Sequence, residues 1–190
     1  MKLLNHTIKS SNKDIVLELL QYEESDRIFI KQIFKRWVIL NNRLKNQLNA
    51  TRGVNFPEGL SEPIACMDLN LTKLVSVKGS KYSTSFDCFD KLNNLRIQVK
   101  CSSSDGPTQF GPKSVQDIYY FIDFFSEKKI DGKYKIYKIT NEQIQSVKVN
   151  KKETMQQKAD TSGQRPRFSI RSKIVLPLKL EPIFEGNLLD

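Results

Sequence analysis

A chain of 190 residues that is 38% hydrophobic and 27% charged can bury one sizeable core and is too apolar to stay unfolded. Lys and Arg number 31 against 21 Asp and Glu, and the net charge of +10 favours a polyanionic partner, nucleic acid ahead of an acidic membrane. His6 is the lone histidine and Cys66, Cys88 and Cys101 are widely spaced, which argues against Ser-His-Asp hydrolysis, multi-histidine zinc sites and a disulfide framework.

Any catalysis is therefore expected to run on carboxylates, lysine and a metal bound through oxygen. The unpaired cysteines fit a reducing cytoplasm, and no signal peptide or 18-residue apolar stretch is evident. His6 falls in a terminus expected to fray. Residues 12–24, NKDIVLELLQYEE, read as a short helix, so the first 30 residues form an N-terminal helical extension. SDRIFIKQIFKRWVILNNRLKNQLN is a stronger helix, with Ile30, Ile33, Trp37, Leu40, Leu44 and Leu48 recurring at three- and four-residue steps. That stripe suits a core face or a helix–helix dimer seam. In TRGVNFPEGLSEPIACMDLN, Ser61 is a plausible N-cap and Pro63 fits an early helical position, with Glu62 in the first turn and Ile64, Ala65 and Leu69 inward.

KLVSVK at 73–78 reads as a strand, GSKYSTS as a polar turn, and 85–101 as a hairpin. SVQDIYYFIDFF at 114–125 suits either a strand or a short helix, because Ser114 and Asp117 look like a helix start while the aromatic run favours a sheet. GKYKIYKI at 132–139 alternates as a strand does, and RFSI is a shorter one before a Pro-containing tail. Interleaved helices and strands make the class α/β or α+β.

The second hairpin strand carries the chemistry. Alternation puts Ile97 and Val99 on one face and Gln98 and Lys100 on the other. If the preceding strand brings Asp87 alongside, a carboxylate, an amide oxygen and an ammonium converge. The two oxygens are hard ligands suited to Mg²⁺, and cation and lysine together can offset charge on a phosphodiester under attack. This is the logic of the PD-(D/E)XK nuclease core, which adds a Glu from a preceding helix, here Glu62. Asp90 is an alternative to Asp87, and Glu58 to Glu62.

Four blocks carry a wider resemblance: RGVNFPEGLSE, IQVKCSSS, FGPKSVQDIYYFIDF and KVNKKETMQQKADTSGQRPRFSI. In this order and spacing the chain resembles, from roughly residue 33 to 173, the small Type II restriction endonucleases of the Bsp-six-I type that cut GCNGC. The resemblance implies an α/β restriction-endonuclease-like core, a mixed central sheet flanked by helices, within one nuclease domain. Residues 31–140 would form helices and catalytic core, and 141–190 a basic DNA-contacting tract and tail. It implies a Mg²⁺-dependent cut of double-stranded DNA that leaves 5′-phosphate ends, made by a homodimer, with a DNA methyltransferase as genetic partner. Asp87 and Gln98 would hold the metal with the Val99 carbonyl as third ligand. Lys100 would orient or deprotonate the attacking water, and Glu62 would position water or a second metal. Gln98 replaces the usual acidic residue and adds no charge to the site.

Residues 148–173 hold eight Lys or Arg against two acidic residues. Lys suits phosphate and Arg pairs bidentately with guanine, so Lys151 and Lys152 are expected on phosphates and Arg165 and Arg167 on bases. Ser102 and Ser103 could hydrogen-bond the DNA backbone, and the loop from Ser102 to Phe110 is the next place to seek recognition. Two rival readings are a structure-selective repair or junction nuclease on the same core, and a non-catalytic basic nucleic-acid-binding protein.

Overall fold

The computed structural model describes residues 1–9, 14–51, 53–78, 86–111, 116–162 and 166–190. The chain opens as an antiparallel hairpin of β1 (Lys2–Ile8) and β2 (Ile15–Gln21). The helix expected over 12–24 is thus a strand over Ile15–Gln21, and Glu24 already opens the next helix; Ser10 to Lys13 lie outside the described residues. Leu17 and Leu19 are buried at a period of two, and β2 pairs on its other side with β3 (Thr72–Val77). A run as short as DIVLELLQ satisfies both periodicities, and pairing on both edges decides for the strand. His6 is not frayed: it sits in β1, with its ring 5.1 Å from that of Phe89.

Helix α1 (Glu24–Asn46) starts where the expected strong helix does. Asp26 accepts the Glu23 backbone N–H at 2.9 Å, and the acidic first turn and basic last turn suit the helix dipole. Its apolar content is wider than one face. Ile30, Phe34, Trp37 and Val38 are buried, whereas Ile33 and Leu40 of the expected core or dimer stripe are 45% and 46% exposed, and Leu48, 73% exposed, lies past the end of the helix. Phe34 sets the rotation, because it packs among the rings of Trp37, Phe56 and Phe124. Burying a side chain of that size stabilises the fold by roughly 1.5–3 kcal/mol.

Helix α2 (Glu58–Asp68) begins earlier than expected, after Pro57 rather than at Ser61, so Glu62 and Pro63 lie in its second turn. Pro57 has the extended backbone of an N-cap, and Leu60 closes a first turn by donating to its carbonyl at 2.9 Å. Ile64, Ala65 and Cys66 are buried as an inward face. The C-terminus of α2 is locked by Asp68, which accepts from Arg27 of α1 at 2.8 Å and from the Tyr134 hydroxyl at 2.5 Å. Across from Tyr134, Gly186 leaves no room for a Cβ, which would collide with the tyrosine ring and its oxygen.

The hairpin of β4 (Cys88–Asp90) and β5 (Leu95–Ser102) turns through Asn94, whose φ of 55° asparagine tolerates. After the short β6 (Thr108–Gln109), the aromatic segment resolves as β7 (Ile118–Asp123), parallel to β5. An Arg96–Asp117 pair clamps the start of both strands, with Nη2 2.7 Å from Oδ1. Strand β8 (Lys133–Thr140) is followed by α3 (Asn141–Gln145) and α4 (Met155–Ser162). Next come β9 (Arg167–Phe168), a π-helical turn over Arg171–Val175, and β10 (Phe184–Asn187).

Among the described residues, eight strands form one mixed sheet in the order β1-β2-β3-β4-β5-β7-β8-β10, and β6 pairs with β9. Helices α1 and α2 bury one face with Ile97 and Val99, and α3, α4 and the π-turn bury the other with Tyr119 and Phe121. The architecture is the mixed α/β sheet flanked by helices that the sequence predicts. No described helix is long and apolar enough to cross a membrane.

Candidate active site

Strand β5 runs on beside β7 past the point where β4 begins at Cys88, and there β4 and β5 part. Up to Ile97, β5 is paired with β4, and Asp87 still donates its N–H to the Ile97 carbonyl at 2.9 Å. One step further the partner is a side chain: Val99 N–H donates to Asp87 Oδ2 at 2.8 Å. The N–H and C=O of one strand residue leave the same edge, so the Val99 carbonyl also faces the gap beyond β4. Into that gap opens a cavity of about 470 Å³ lined by Glu62, Asp87, Gln98, Val99, Lys100, Ser102, Ser103, Gln109 and Arg167 among others.

Within it Gln98 donates its amide N–H to Asp87 Oδ2, so its amide oxygen, the only atom of an amide side chain suited to ligate a hard cation, is not the atom used in that bond. Burial pushes the Asp87 carboxyl up to about 6. The Val99 N–H and the ammoniums of Lys100 and Lys73 pull the other way, and Glu62 adds to the rise. A buried carboxylate under that pressure is relieved by a cation at its open oxygen. With an amide oxygen and a strand carbonyl beside it, the donor set is hard, oxygen-only and fits Mg²⁺. Among the described residues no group of three or more His, Cys, Asp or Glu is placed to hold a metal ion, so any ion here would lean on amide and carbonyl oxygens beside the carboxylate.

The alternatives separate. Asp90 is not at the cavity: it caps the β4–β5 turn, accepting from the backbone N–H groups of Leu92 at 3.0 Å and Asn93 at 3.1 Å, and from the Asn93 amide at 2.7 Å. Glu62 lines the cavity from α2, while the side chain of Glu58 lies outside the described residues. Ser102 spends its hydroxyl on Ser104, donating to its carbonyl and accepting its N–H at 3.3 Å, so it shapes the loop as well as lining the wall.

The basic tract is not one surface. Arg167 lines the cavity from β9, with Nη2 donating to Gln109 Oε1 at 3.1 Å. Lys151 and Lys152 stand on an exposed turn, away from the cavity wall, that Asn150 organises by accepting the N–H groups of Lys152 and Glu153, each at 2.8 Å. Arg165 lies outside the described residues. Two residues at the site are not singled out by the sequence, although Gln109 falls within the loop from Ser102 to Phe110. Lys73 meets Glu62 with Nζ 2.7 Å from Oε2, and Gln109 meets Arg167. Neither belongs to a motif. Only the pairing of β3 with β4 and of β6 with β9 brings them in.

Comparison with known proteins gives the family. The family model described as Bsp6I restriction endonuclease matches residues 22–177, leaving out the β1–β2 hairpin. The Type II restriction enzyme Bsp6I of Bacillus sp. (strain RFL6) is 30% identical over 158 residues, 80% of this chain and 82% of that enzyme. No solved structure matches significantly. The chain belongs to the Bsp6I restriction endonuclease family and is a site-specific endonuclease acting on DNA.

Proposed function

We propose that this enzyme hydrolyses both strands of double-stranded DNA at GCNGC in a Mg²⁺-dependent reaction on a PD-(D/E)XK core, leaving 5′-phosphate and 3′-hydroxyl ends. The supporting observation is the convergence of Asp87, Gln98, the Val99 carbonyl and Lys100 on one cavity wall. Mg²⁺, when bound, would polarise the scissile phosphate and offset charge that develops on it. Asp87 and Gln98 would hold the ion with the Val99 carbonyl. Lys100, next on the same strand face as Gln98, orients or deprotonates the attacking water, and Glu62 positions that water from α2. Ser103 and the Ser102 loop meet the DNA backbone. Arg167, and Arg165 beside it in sequence, read guanine, while Lys151 and Lys152 engage phosphates further out.

A near-palindromic site calls for two identical reading surfaces, so the working unit is a two-fold homodimer. A cytoplasmic DNA methyltransferase with the same site would protect the host DNA. The test is incubation with unmethylated plasmid in Mg²⁺ and in EDTA. Discrete fragments with ends at GCNGC in Mg²⁺ alone are expected. Cutting confined to junctions or mismatches, or binding without cutting, would overturn the reading.

A further inference from the structure

Lys73 is the unexplained cation of the site. It stands opposite Cys88 in the β3–β4 pairing, one residue from Asp87, and the neighbouring Leu74 N–H donates to the Asp87 carbonyl at 2.9 Å. The backbone therefore fixes where its side chain starts. That side chain crosses to α2, where Nζ lies 2.7 Å from Glu62 Oε2, and the two groups are 31% and 26% exposed. Cys66, one turn beyond Glu62 on α2, packs with its sulfur 3.4 Å from that of Cys88, so helix and strand are held together behind the ion pair.

The donor count follows from this pairing. Two metal ions side by side share bridging carboxylates and need several negative charges. Here Glu62 and Asp87 are the carboxylates that line the cavity, and Glu62 is already answered by an ammonium. What remains for a metal is one carboxylate, one amide oxygen and one carbonyl, a set for a single ion with waters and substrate oxygens completing its shell. Gln98, neutral where an acidic residue would add a charge, lowers the demand for cations further.

We propose that Lys73 stands in place of a second metal ion: it neutralises Glu62, fixes that carboxylate at the cavity wall and limits each active centre to one divalent cation. The proposal rests on the reading of Asp87 and Gln98 as metal ligands. Lys73 is a positioning residue. It acts through Glu62, and its removal would leave Glu62 uncompensated beside Asp87, creating the two-carboxylate site that the wild-type chain avoids.

The experiment is a Mn²⁺ titration of the full-length protein without DNA, read by electron paramagnetic resonance of free Mn²⁺. Folding of each variant is checked by thermal melting. Wild type should bind one Mn²⁺ per chain, and Lys73→Arg, which keeps the ion pair, should do the same. Lys73→Met should bind two, or bind the first at least roughly tenfold more tightly, because ligand charge tunes affinity. Lys73→Gln serves where the methionine variant does not fold. One ion at wild-type affinity in a folded Lys73→Met or Lys73→Gln would overturn the role of Lys73 and leave the metal site standing. Two ions in wild type would do so as well. No ion in wild type at millimolar Mn²⁺ would overturn the metal site and the proposal together.

Discussion

Val99 N–H donates to Asp87 Oδ2 at 2.8 Å, so the strand that carries Lys100 also steadies the carboxylate that would take the metal. That bond favours the ionised form, but burial outweighs it, and the Asp87 carboxyl is raised to about 6. The metal-free site is thus built at some cost to the fold, which the ion would recover.

The cost has a pH signature. A folded pKa above the unfolded one means that the native state favours the proton. This stabilisation is full below about pH 4 and is lost as pH rises through 6. Asp87→Asn removes the titration. Without metal, the variant should be more stable than wild type at pH 7.5, by at most about 3 kcal/mol, and the gap should close by about pH 4. Ca²⁺ should raise the melting temperature of wild type and leave that of the variant unchanged. Parallel melting profiles across pH, with and without Ca²⁺, would place the metal ligand elsewhere.

Asp90→Ala makes the contrasting case. Its carboxylate accepts three hydrogen bonds inside the β4–β5 turn, so truncation should cost about 1–3 kcal/mol of stability. Cleavage at temperatures where the variant is folded should need the same Mg²⁺ concentration as wild type. A shifted Mg²⁺ titration would return Asp90 to the site.

Lys100→Ala should abolish cleavage yet leave binding of a GCNGC duplex in Ca²⁺ within about tenfold, ~1.4 kcal/mol, of wild type. Lys100 shares the cavity with Asp87 and Gln98, whereas under the proposed reading duplex affinity would be spread over the eight Lys or Arg of the basic tract. Single-turnover cleavage and equilibrium binding separate the two roles, and retained turnover would remove Lys100 from the chemistry.

Local alternation is enough to foresee the faces of β5: Ile97 and Val99 are buried, with Gln98 and Lys100 turned to the cavity. The strand at β8 is legible for the same reason. Elements whose identity depends on partners are not. Residues 15–21 carry a pattern that fits helix or strand, and their neighbours β1 and β3 choose between them. Pro63 suits an early helix position because proline is tolerated there, but Pro57 starts the helix a turn sooner. Helix α4 is hidden inside a charge-rich stretch whose apolar anchor is Met155, buried against the second core. Lys73 is invisible in principle, since a lone polar residue in a strand gains meaning only from what lies across the sheet, and Gln109 is legible only as one member of the Ser102 to Phe110 loop.

Gln109 and Arg167 face each other across the β6–β9 ladder, and the Arg167 guanidinium donates to Gln109 Oε1 at 3.1 Å. Behind them Phe110 and Phe168 stack with centroids 4.5 Å apart, and Phe110 N–H donates to the Pro166 carbonyl at 3.1 Å. The guanidinium is therefore held by paired strands at the wall of the cavity that Lys100 also lines, where the proposed reading places a base contact. Arg167→Ala should cost on the order of 1–3 kcal/mol per half-site on a GCNGC duplex, with little change on a scrambled one. Gln109→Ala keeps the reader but frees its orientation, so it should give a smaller loss in the same direction. Lys151→Ala and Lys152→Ala, remote from the cavity, should instead weaken both duplexes alike and flatten the slope of log K against log salt by about 0.9 for each phosphate no longer neutralised. Binding of both duplexes in Ca²⁺ at several salt concentrations distinguishes the two patterns. If Arg167→Ala weakens both duplexes equally and flattens the salt slope, Arg167 is a phosphate contact and the base reader lies elsewhere in the tract.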